Sequence, residues 1–358
     1  EFRRVLFRSH EHPAGCELLA LHLRSCGLDI AAKVSLGWPT DPAELAAADT
    51  LVIFADGGPS HPAAGHLDAL KARQQAGKGL AVLHWALGPA DDDMKAFLME
   101  AIGGQFEPDW SVNPTWTMSG PILADGHPAS RGVTPFEAKD EWYFHIRLRD
   151  DVTPLLQAHP PADVLGEKDG KYSGNPAVRK ALADKLPQTL AWAVENTNGS
   201  RGFGFTGGHF QTLWSNAGFR KVVLNGIGWT AGVEIPESGI DGKLAEPAYD
   251  SIEMAIAKGS TADLRVLLAL HPEWATQASG GRTPLDVAIL RNKPEMAELI
   301  LAYGADPNGA ADASRSPLHL AVNRKNAALA ATLIKAGAKP DRLDQSGWTP
   351  LHHAAAEN

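Results

Sequence analysis

Short apolar runs, each bounded by glycine, aspartate or proline, alternate with more polar segments over the first two thirds of the chain. The first three runs are 27–35, 49–55 and 79–85. The segment 60–77 between the last two runs predicts an amphipathic helix with Ser60 as its N-cap. Apolar strands that alternate with amphipathic helices predict a parallel sheet that is covered by helices on both faces.

Later runs extend this pattern to about residue 240. They predict four further strands at 114–120, 140–148, 188–194 and 201–208, and a closing helix at 216–232. The predicted fold class is therefore α/β. The domain is a doubly wound, flavodoxin- or amidotransferase-like sheet, with later strands that make the sheet mixed or extended.

A different pattern begins near residue 249. Motifs of the form Thr/Ser-Pro-Leu-Asp/His start at Thr283, Ser316 and Thr349, which are spaced 33 residues apart. The loop sequences YGADPN and AGAKPD, which start at Tyr303 and Ala336, repeat with the same period. Motif, period and loop resemble those of ankyrin repeats, and the resemblance implies an all-α solenoid.

These patterns divide the chain into four segments. We predict an α/β domain at 10–240, a linker at 241–248 and an ankyrin array at 249–358 that is truncated at its C-terminal end. Residues 1–9 match the translation of a sequencing-adapter end, so we predict an assembly artefact in place of the true N-terminus and the first strand. The sequence therefore predicts no localisation.

Composition and charge narrow the classes of partner. The chain has 358 residues, a formal net charge of -9 and 44% hydrophobic residues, as in ordinary globular proteins. The negative charge argues against nucleic acid or an anionic membrane as the main partner, and no apolar run reaches the roughly 18 residues of a membrane helix. Cys16 and Cys26 are predicted on one helix, roughly 15 Å apart, which is too far for a disulfide.

Polar residues suited to chemistry follow several predicted strands. Asp56 comes after the second strand, and His84 and His209 come at or after two later ones. In open parallel sheets, ligands bind beyond the carboxyl ends of the strands. Alternation along 140–148 further places Glu141, Tyr143 and His145 on one face, with Trp142 and Phe144 on the other. We therefore expect these side chains to meet at one edge of the sheet.

The segment 10–240 resembles the ThuA-like (trehalose-utilisation) family. The resemblance is carried by the motifs HEHPAGC, DTLVIFADGG, GKGLAVLHWA, FEPDWSVNPTWT, DEWYFHIRL, SGNPAVR and RGFGFTGGHF, and by the closing segment FRKVVLNGIGWTAGVEIPESG. It implies the fold of class I glutamine amidotransferases and a role in carbohydrate metabolism. The family does not supply a defined reaction.

The run 79–85 has the form of a nucleophile elbow, in which the turn after a buried strand carries a cysteine or serine. This sequence has His84 at that position, and neither Cys16 nor Cys26 is near it. Because a glutaminase needs a thiolate there, glutamine hydrolysis is not expected.

The first hypothesis for this domain is general acid–base chemistry on a sugar or keto-sugar. The candidate catalytic residues are His84, Glu141, His209 and Asp56. The candidate substrate-binding residues are His12, Gly57, Gly58, Trp85, Trp110, Tyr143 and Gly208. No cofactor is required by this chemistry.

Three alternatives stay open beside it. In one, a divalent metal assists the reaction on a sugar, although no motif with metal-ligand spacing supports this. The weak metal candidates are His10, His12, His84 and His209. In another, the pocket binds a carbohydrate without catalysis. In the last, the chain is a scaffold whose α/β domain has lost activity, and its ankyrin repeats bind an unknown protein.

Each candidate also has a structural interpretation. His84 is compatible with a hydrogen-bonded core histidine, Asp56 with a helix cap, and His209 with a bond to a loop carbonyl. His145 is predicted within a strand, and His61 is predicted on the helix that follows the glycine pair, in a surface or capping position. The histidines of the repeat motifs are expected to pack and to form hydrogen bonds that tie adjacent repeats together.

Overall fold

A computed structural model describes most of the chain. The described residues are 3–9, 13–39, 41–210, 213–214, 216–242, 249–309 and 315–356. They divide into two compact units, Glu1–Leu244 and Ala245–Asn358. This division falls within the predicted linker 241–248, of which residues 243–248 lie outside the described part.

The first unit is built of strands and helices in alternation. Its strands are β1 Arg3–Ser9, β2 Ile30–Leu36, β3 Thr50–Phe54, β4 Gly79–Leu83, β5 Gly104–Gln105, β6 Thr115–Met118, β7 Ile122–Leu123, β8 Ala138–Glu141, β9 Arg147–Leu148, β10 Thr153–Ala158, β11 Gln188–Glu195 and β12 Arg201–Phe205. Its helices are α1 Pro13–Ser25, α2 Pro42–Ala47, α3 Leu67–Gln75, α4 Asp92–Ala101, α5 Pro176–Ala183 and α6 Ala217–Thr230.

Eight strands form the main sheet, in the order β2-β1-β3-β4-β12-β11-β10-β7. The first five of these are parallel, and the last three are antiparallel to their neighbours. The parallel part has the flavodoxin-type order, in which the chain winds to both sides of its first strand. The predicted mixed, doubly wound α/β sheet is therefore confirmed.

The central strands are buried because helices cover both faces of the sheet. Every residue of β3 and β4 is buried. Leu51 and Val82 pack on one side with Leu70 of α3 and Phe97 of α4. Helix α6 packs on β3, β4 and β12. It also contacts α1, which packs on β1 and β2. Continuous apolar runs such as 79–83 are typical of strands that have no solvent face.

Strand β1 contradicts the expectation that the sheet lacks its first strand. Residues Arg3–Ser9 pair in parallel with β2 on one side and β3 on the other. Parallel pairing uses backbone N–H and C=O groups, so a strand can form here irrespective of the origin of its sequence. The sheet is continuous across this position.

The helix predicted at 60–77 is shorter than expected. Helix α3 begins at Leu67, and residues 59–66 form turns, so Ser60 is not its N-cap. His61 is buried rather than exposed, because its two ring nitrogens bond Ala86 O and Ala63 N. Through His61, the turns at 59–66 thus hold the loop after β4 in place. The pattern of apolar residues could not predict this contact.

The second unit consists of helices that stack in pairs. They are α7 Ile252–Lys258, α8 Thr261–Leu270, α9 Pro284–Leu290, α10 Pro294–Ala302, α11 Pro317–Asn323, α12 Ala327–Lys335 and α13 Pro350–Ala356. Thr283 and Ser316 close capping boxes at the starts of α9 and α11. Among the described residues, no helix has the length and hydropathy that are needed to cross a bilayer.

Candidate active site

His84 occupies the sharp turn at the carboxyl end of β4. It is buried and has a φ of +55°, a left-handed conformation that is uncommon for residues other than glycine. A 3-10 turn over His84–Leu87 follows directly. This strand–turn geometry is the one that the run 79–85 predicts, and strained backbone of this kind concentrates at functional sites.

Both ring nitrogens of His84 have a partner on another element. Nδ1 lies 3.1 Å from the carbonyl oxygen of Thr206, after β12, so Nδ1 carries a proton and donates it. Nε2 lies 3.1 Å from the hydroxyl of Tyr143, and the two rings stack at a centroid distance of 4.6 Å. The imidazole therefore has a fixed orientation, with Nε2 directed toward the loop after β8.

Glu141, the last residue of β8, is the centre of the cluster. Its Oε2 lies 3.6 Å from Nε2 of His84 and 3.3 Å from Nδ1 of His209. The Tyr143 hydroxyl donates to the same oxygen at 3.2 Å, and Asn113 donates to Oε1 at 3.0 Å. Burial raises the pKa of Glu141, partly offset by His209, Tyr143 and Asn113. Two imidazoles and one hydroxyl thus converge on a single oxygen of Glu141.

Asp140 holds His209 next to Glu141. Its buried carboxylate accepts backbone N–H groups from Gly208 at 2.6 Å and Phe210 at 3.2 Å, on the two sides of His209. It also accepts the N–H of Glu141 at 3.0 Å. Burial raises the pKa of Asp140 to about 6, although these three donors act in the opposite direction.

The sequence prediction did not include Asp140. By strand alternation Asp140 falls on the same face as Trp142, opposite Glu141. An acid on an apolar face is itself a signal, because a buried carboxylate requires donors, and the Gly207–Gly208 pair supplies a loop that can approach it. A Cβ at Gly207 would lie 2.5 Å from Trp142, so only glycine allows this approach.

Tyr143 and Asp56 lie in the same neighbourhood. The pKa of Tyr143 is raised by burial and then by Glu141, with smaller contributions from the charges of Asp140 and Asp56. The hydroxyl of Tyr143 therefore stays protonated and has one proton to share between His84 and Glu141. Asp56 follows β3 and acts on this site through its charge.

The predicted glycines serve the packing of loops. A Cβ at Gly57 would lie 2.2 Å from the carbonyl oxygen of Trp85. Gly58 has a φ of +59° and donates its N–H to Gly88 at 2.7 Å. Because the N–H groups of Gly58 and Gly208 bond protein atoms, these glycines position the loops rather than present donors to a substrate.

The aromatic candidates divide between two places. Trp85 contacts the ring of Tyr143, and it also contacts Tyr172, an aromatic residue that the sequence prediction missed. Trp110 packs elsewhere, against His145 and with the guanidinium of Arg147 at 3.6 Å from its ring centroid. Trp110 therefore belongs to a cluster of its own.

The alternation of 140–148 predicts His145 within a strand, but His145 lies between two strands. The run is divided into β8 and β9, and His145 between them has a φ of +57°. Burial, and then Arg147, lower its pKa to about 4, so it is neutral at physiological pH. The remaining candidates, His10 and His12, lie outside the described residues.

A second cluster of two histidines and an acid lies in the helical unit. His319 is buried, with Nε2 3.0 Å from the carbonyl oxygen of Trp348 and Nδ1 2.8 Å from the hydroxyl of Ser316. Asp344 accepts from Nε2 of His353 at 2.7 Å and from the N–H groups of Trp348 and Ser346. These bonds cap helices and connect neighbouring helix pairs, as expected for the histidines of the repeat motifs.

Neither cysteine reaches the turn at the end of β4. Both are free, and Cys16 is buried in α1 with its thiol 3.7 Å from the carbonyl oxygen of Phe54. Cys26 donates to Leu23, one turn earlier in its own segment. The position of an elbow nucleophile is thus occupied by an imidazole.

Comparison with known families agrees with this division. Residues 3–230 match the family model ThuA, described as trehalose utilisation. Residues 280–312 and 314–345 match the ankyrin repeat. No curated protein gives a significant match to the chain.

Proposed function

The chain belongs to the ThuA trehalose-utilisation family, and from this premise we propose that its α/β unit binds a sugar or keto-sugar and transfers protons on it. The observation that carries the proposal is the convergence of two imidazoles on one carboxylate oxygen. Oε2 of Glu141 lies 3.6 Å from His84 and 3.3 Å from His209. Acid–base catalysis on a carbohydrate needs groups of these types within hydrogen-bond reach.

The side chains of His209 and His84 differ in solvent exposure, and we therefore assign them different roles. His209, with 47% of its side chain exposed, is the member that meets the substrate. Glu141 accepts a proton from His209 or returns one, and its raised pKa favours this exchange. His84 is buried and orients Glu141 through Tyr143, so we assign it the inner end of the proton path.

Glutamine hydrolysis is not part of the proposal. Such a reaction needs a thiolate at the turn after β4, and that position is His84. His209 lies where it can activate a substrate group, and the side chain it contacts is a carboxylate instead of a thiol.

The second unit is the part of the chain that we propose binds a protein partner. Ankyrin repeats are stacked units that present an extended concave surface for binding. We propose that a protein partner binds this concave face and the adjacent turn tips, while the carbohydrate binds only in the α/β unit.

Calorimetric titration of the full chain with trehalose and its keto derivative tests the carbohydrate proposal. We expect saturable binding of one of these sugars by the native protein and its loss in His209→Ala. His159→Ala is the matched control, because His159 is an exposed histidine after β10. Equal binding by native protein and His209→Ala would contradict the assigned site. Absence of binding to both sugars would favour the scaffold alternative.

A further inference from the structure

We propose that His84, Glu141 and His209 together bind one divalent metal ion of the zinc type. The inference deepens the proposed function and rests on it, because the ion would lie in the same site. The three residues come from segments far apart in the chain, so no short motif could indicate the set. Two imidazoles and one carboxylate form one of the ligand sets of catalytic zinc sites.

The distances between the donor atoms fit a small tetrahedral ion. Zinc binds imidazole nitrogen at about 2.0–2.1 Å, so neighbouring donors of a tetrahedral site lie about 3.4 Å apart. The observed separations from Glu141 Oε2 are 3.6 Å to His84 and 3.3 Å to His209. All three donor atoms lie within 4.8 Å of one another. Small side-chain rotations therefore suffice to bring them around one ion.

The protein fixes Nδ1 of His84, Oε1 of Glu141 and the backbone beside His209, as outer partners do in known metal sites. His84 donates Nδ1–H to Thr206, which directs Nε2 toward Glu141 and the Tyr143 hydroxyl. Asn113 holds Oε1 of Glu141, which leaves Oε2. The backbone on both sides of His209 is bonded to Asp140. Such outer partners orient ligands before the metal binds, and they reduce the cost of ordering the site.

The half-exposed side of the cluster supplies the remaining coordination position. Three protein ligands with one open position are typical of catalytic zinc, whereas structural sites use four protein ligands. His209 is 47% exposed, so water or a sugar oxygen can reach this side. A bound ion would polarise that oxygen. The Tyr143 hydroxyl, which now contacts Nε2 of His84, would keep its bond to Glu141.

The second cluster, which consists of His319, Asp344 and His353 (the repeat cluster), contrasts with the cluster of His84, Glu141 and His209 (the α/β cluster). Both ring nitrogens of His319 bond atoms of the repeat motifs, and Asp344 already accepts two backbone N–H groups and His353. An ion would have to break several of these bonds at once, whereas in the α/β unit it would take the place of the Tyr143 hydroxyl at Nε2 of His84. We therefore assign the metal to the α/β cluster alone.

Elemental analysis of the full chain, after incubation with zinc sulfate and gel filtration, tests the proposal. We expect about one zinc ion per chain in the native protein and in His159→Ala, and loss of the ion in His209→Ala and Glu141→Gln. Asn113→Ala, which removes only an outer partner, should weaken zinc affinity about 10- to 100-fold. His209 is half exposed, so its variant is expected to fold, and circular dichroism verifies this.

Two results would overturn the proposal. One is equal zinc content in native protein and His209→Ala. The other is loss of zinc in His353→Ala but not in His209→Ala, which would place the ion in the repeat cluster. Sugar titration of zinc-loaded and chelator-treated protein separates the two proposals. Sugar binding by a protein that takes up no zinc would refute only the metal proposal. Zinc uptake without sugar binding would refute only the carbohydrate proposal.

Discussion

Two clusters, each of two histidines and one carboxylate, lie in the two units of this protein, and their bonding differs. In the repeat cluster, His319 and Asp344 bond the backbone of the motifs around them. In the α/β cluster, His84 and His209 converge on a single oxygen of Glu141 at a half-exposed edge. Residue type alone therefore does not identify a site. The decisive property is whether the donors point at the fold or at one another.

Asp140, beside the α/β cluster, and Asp344, within the repeat cluster, show the same contrast in their protonation. Asp140 and Asp344 both accept backbone N–H groups. Burial nevertheless raises the pKa of Asp140 to about 6, whereas the N–H of Trp348 and the His353 side chain lower that of Asp344 to about 2. Desolvation exceeds the effect of the donors at Asp140, whereas the donors dominate at Asp344.

The largest expected effect is the loss of stability in His319→Ala. This variant leaves the carbonyl of Trp348 and the hydroxyl of Ser316 without their partner and opens a cavity at a buried position. We expect the free energy of unfolding of the repeat unit to fall by about 2–3 kcal/mol. Urea-dependent hydrogen exchange, which resolves the two units, measures it. A comparable loss in His209→Ala, at a half-exposed position, would erase the distinction between the clusters.

The next effect is a pH dependence from Asp140. Its pKa is higher in the folded unit than the unfolded value of 3.8, so its contribution to stability is present below pH 4 and is lost as the pH rises through about 6. Between pH 4.5 and 7.5 this shift corresponds to roughly 2 kcal/mol. Unfolding free energies at pH 4.5 and 7.5 should differ less in Asp140→Asn than in the native protein. Asp344 acts oppositely, because its contribution is lost as the pH falls from about 4 to about 2. An equal pH slope in native protein and Asp140→Asn would refute the assignment.

The smallest effect is expected for Tyr143→Phe. The hydroxyl of Tyr143 lowers the pKa of Glu141 by donating to it, so its removal should raise that pKa further. The cost in stability is expected to be about 1 kcal/mol. Carboxyl-carbon NMR titration of Glu141 measures the shift, with Tyr172→Phe as the matched control, since Tyr172 is 38% exposed at the rim. An unchanged or lower pKa would show that the bond to Glu141 is absent in solution.

Strand ends and repeat motifs were predictable from the sequence, because they depend on local composition. The run 79–85 located the turn that bears His84, and the period of 33 residues located the helix pairs. The position of Glu141 beside His84 and His209 was predicted only by the general rule that ligands bind at strand ends. Their roles in catalysis stay predictions.

Features that depend on tertiary structure were not predictable. Asp140 lies on the apolar face of its strand, and its donors come from a loop about 70 residues later in the chain. The break at His145 follows from a left-handed residue that alternation does not encode. Ser60 fits the rules for an N-cap, but the buried bonds of His61 hold that segment in turns. At Asp140 and His61 a contact with a residue distant in sequence prevailed over a local preference.

We propose that the α/β cluster is the ligand site, whereas the repeat cluster is part of the fold. Calorimetric titration of trehalose and its keto derivative into native protein, Glu141→Gln and Asp344→Asn under identical conditions distinguishes the two. We expect sugar binding to be lost in Glu141→Gln and to be unchanged in Asp344→Asn. Unchanged binding in Glu141→Gln, or loss of binding in Asp344→Asn alone, would contradict the proposal.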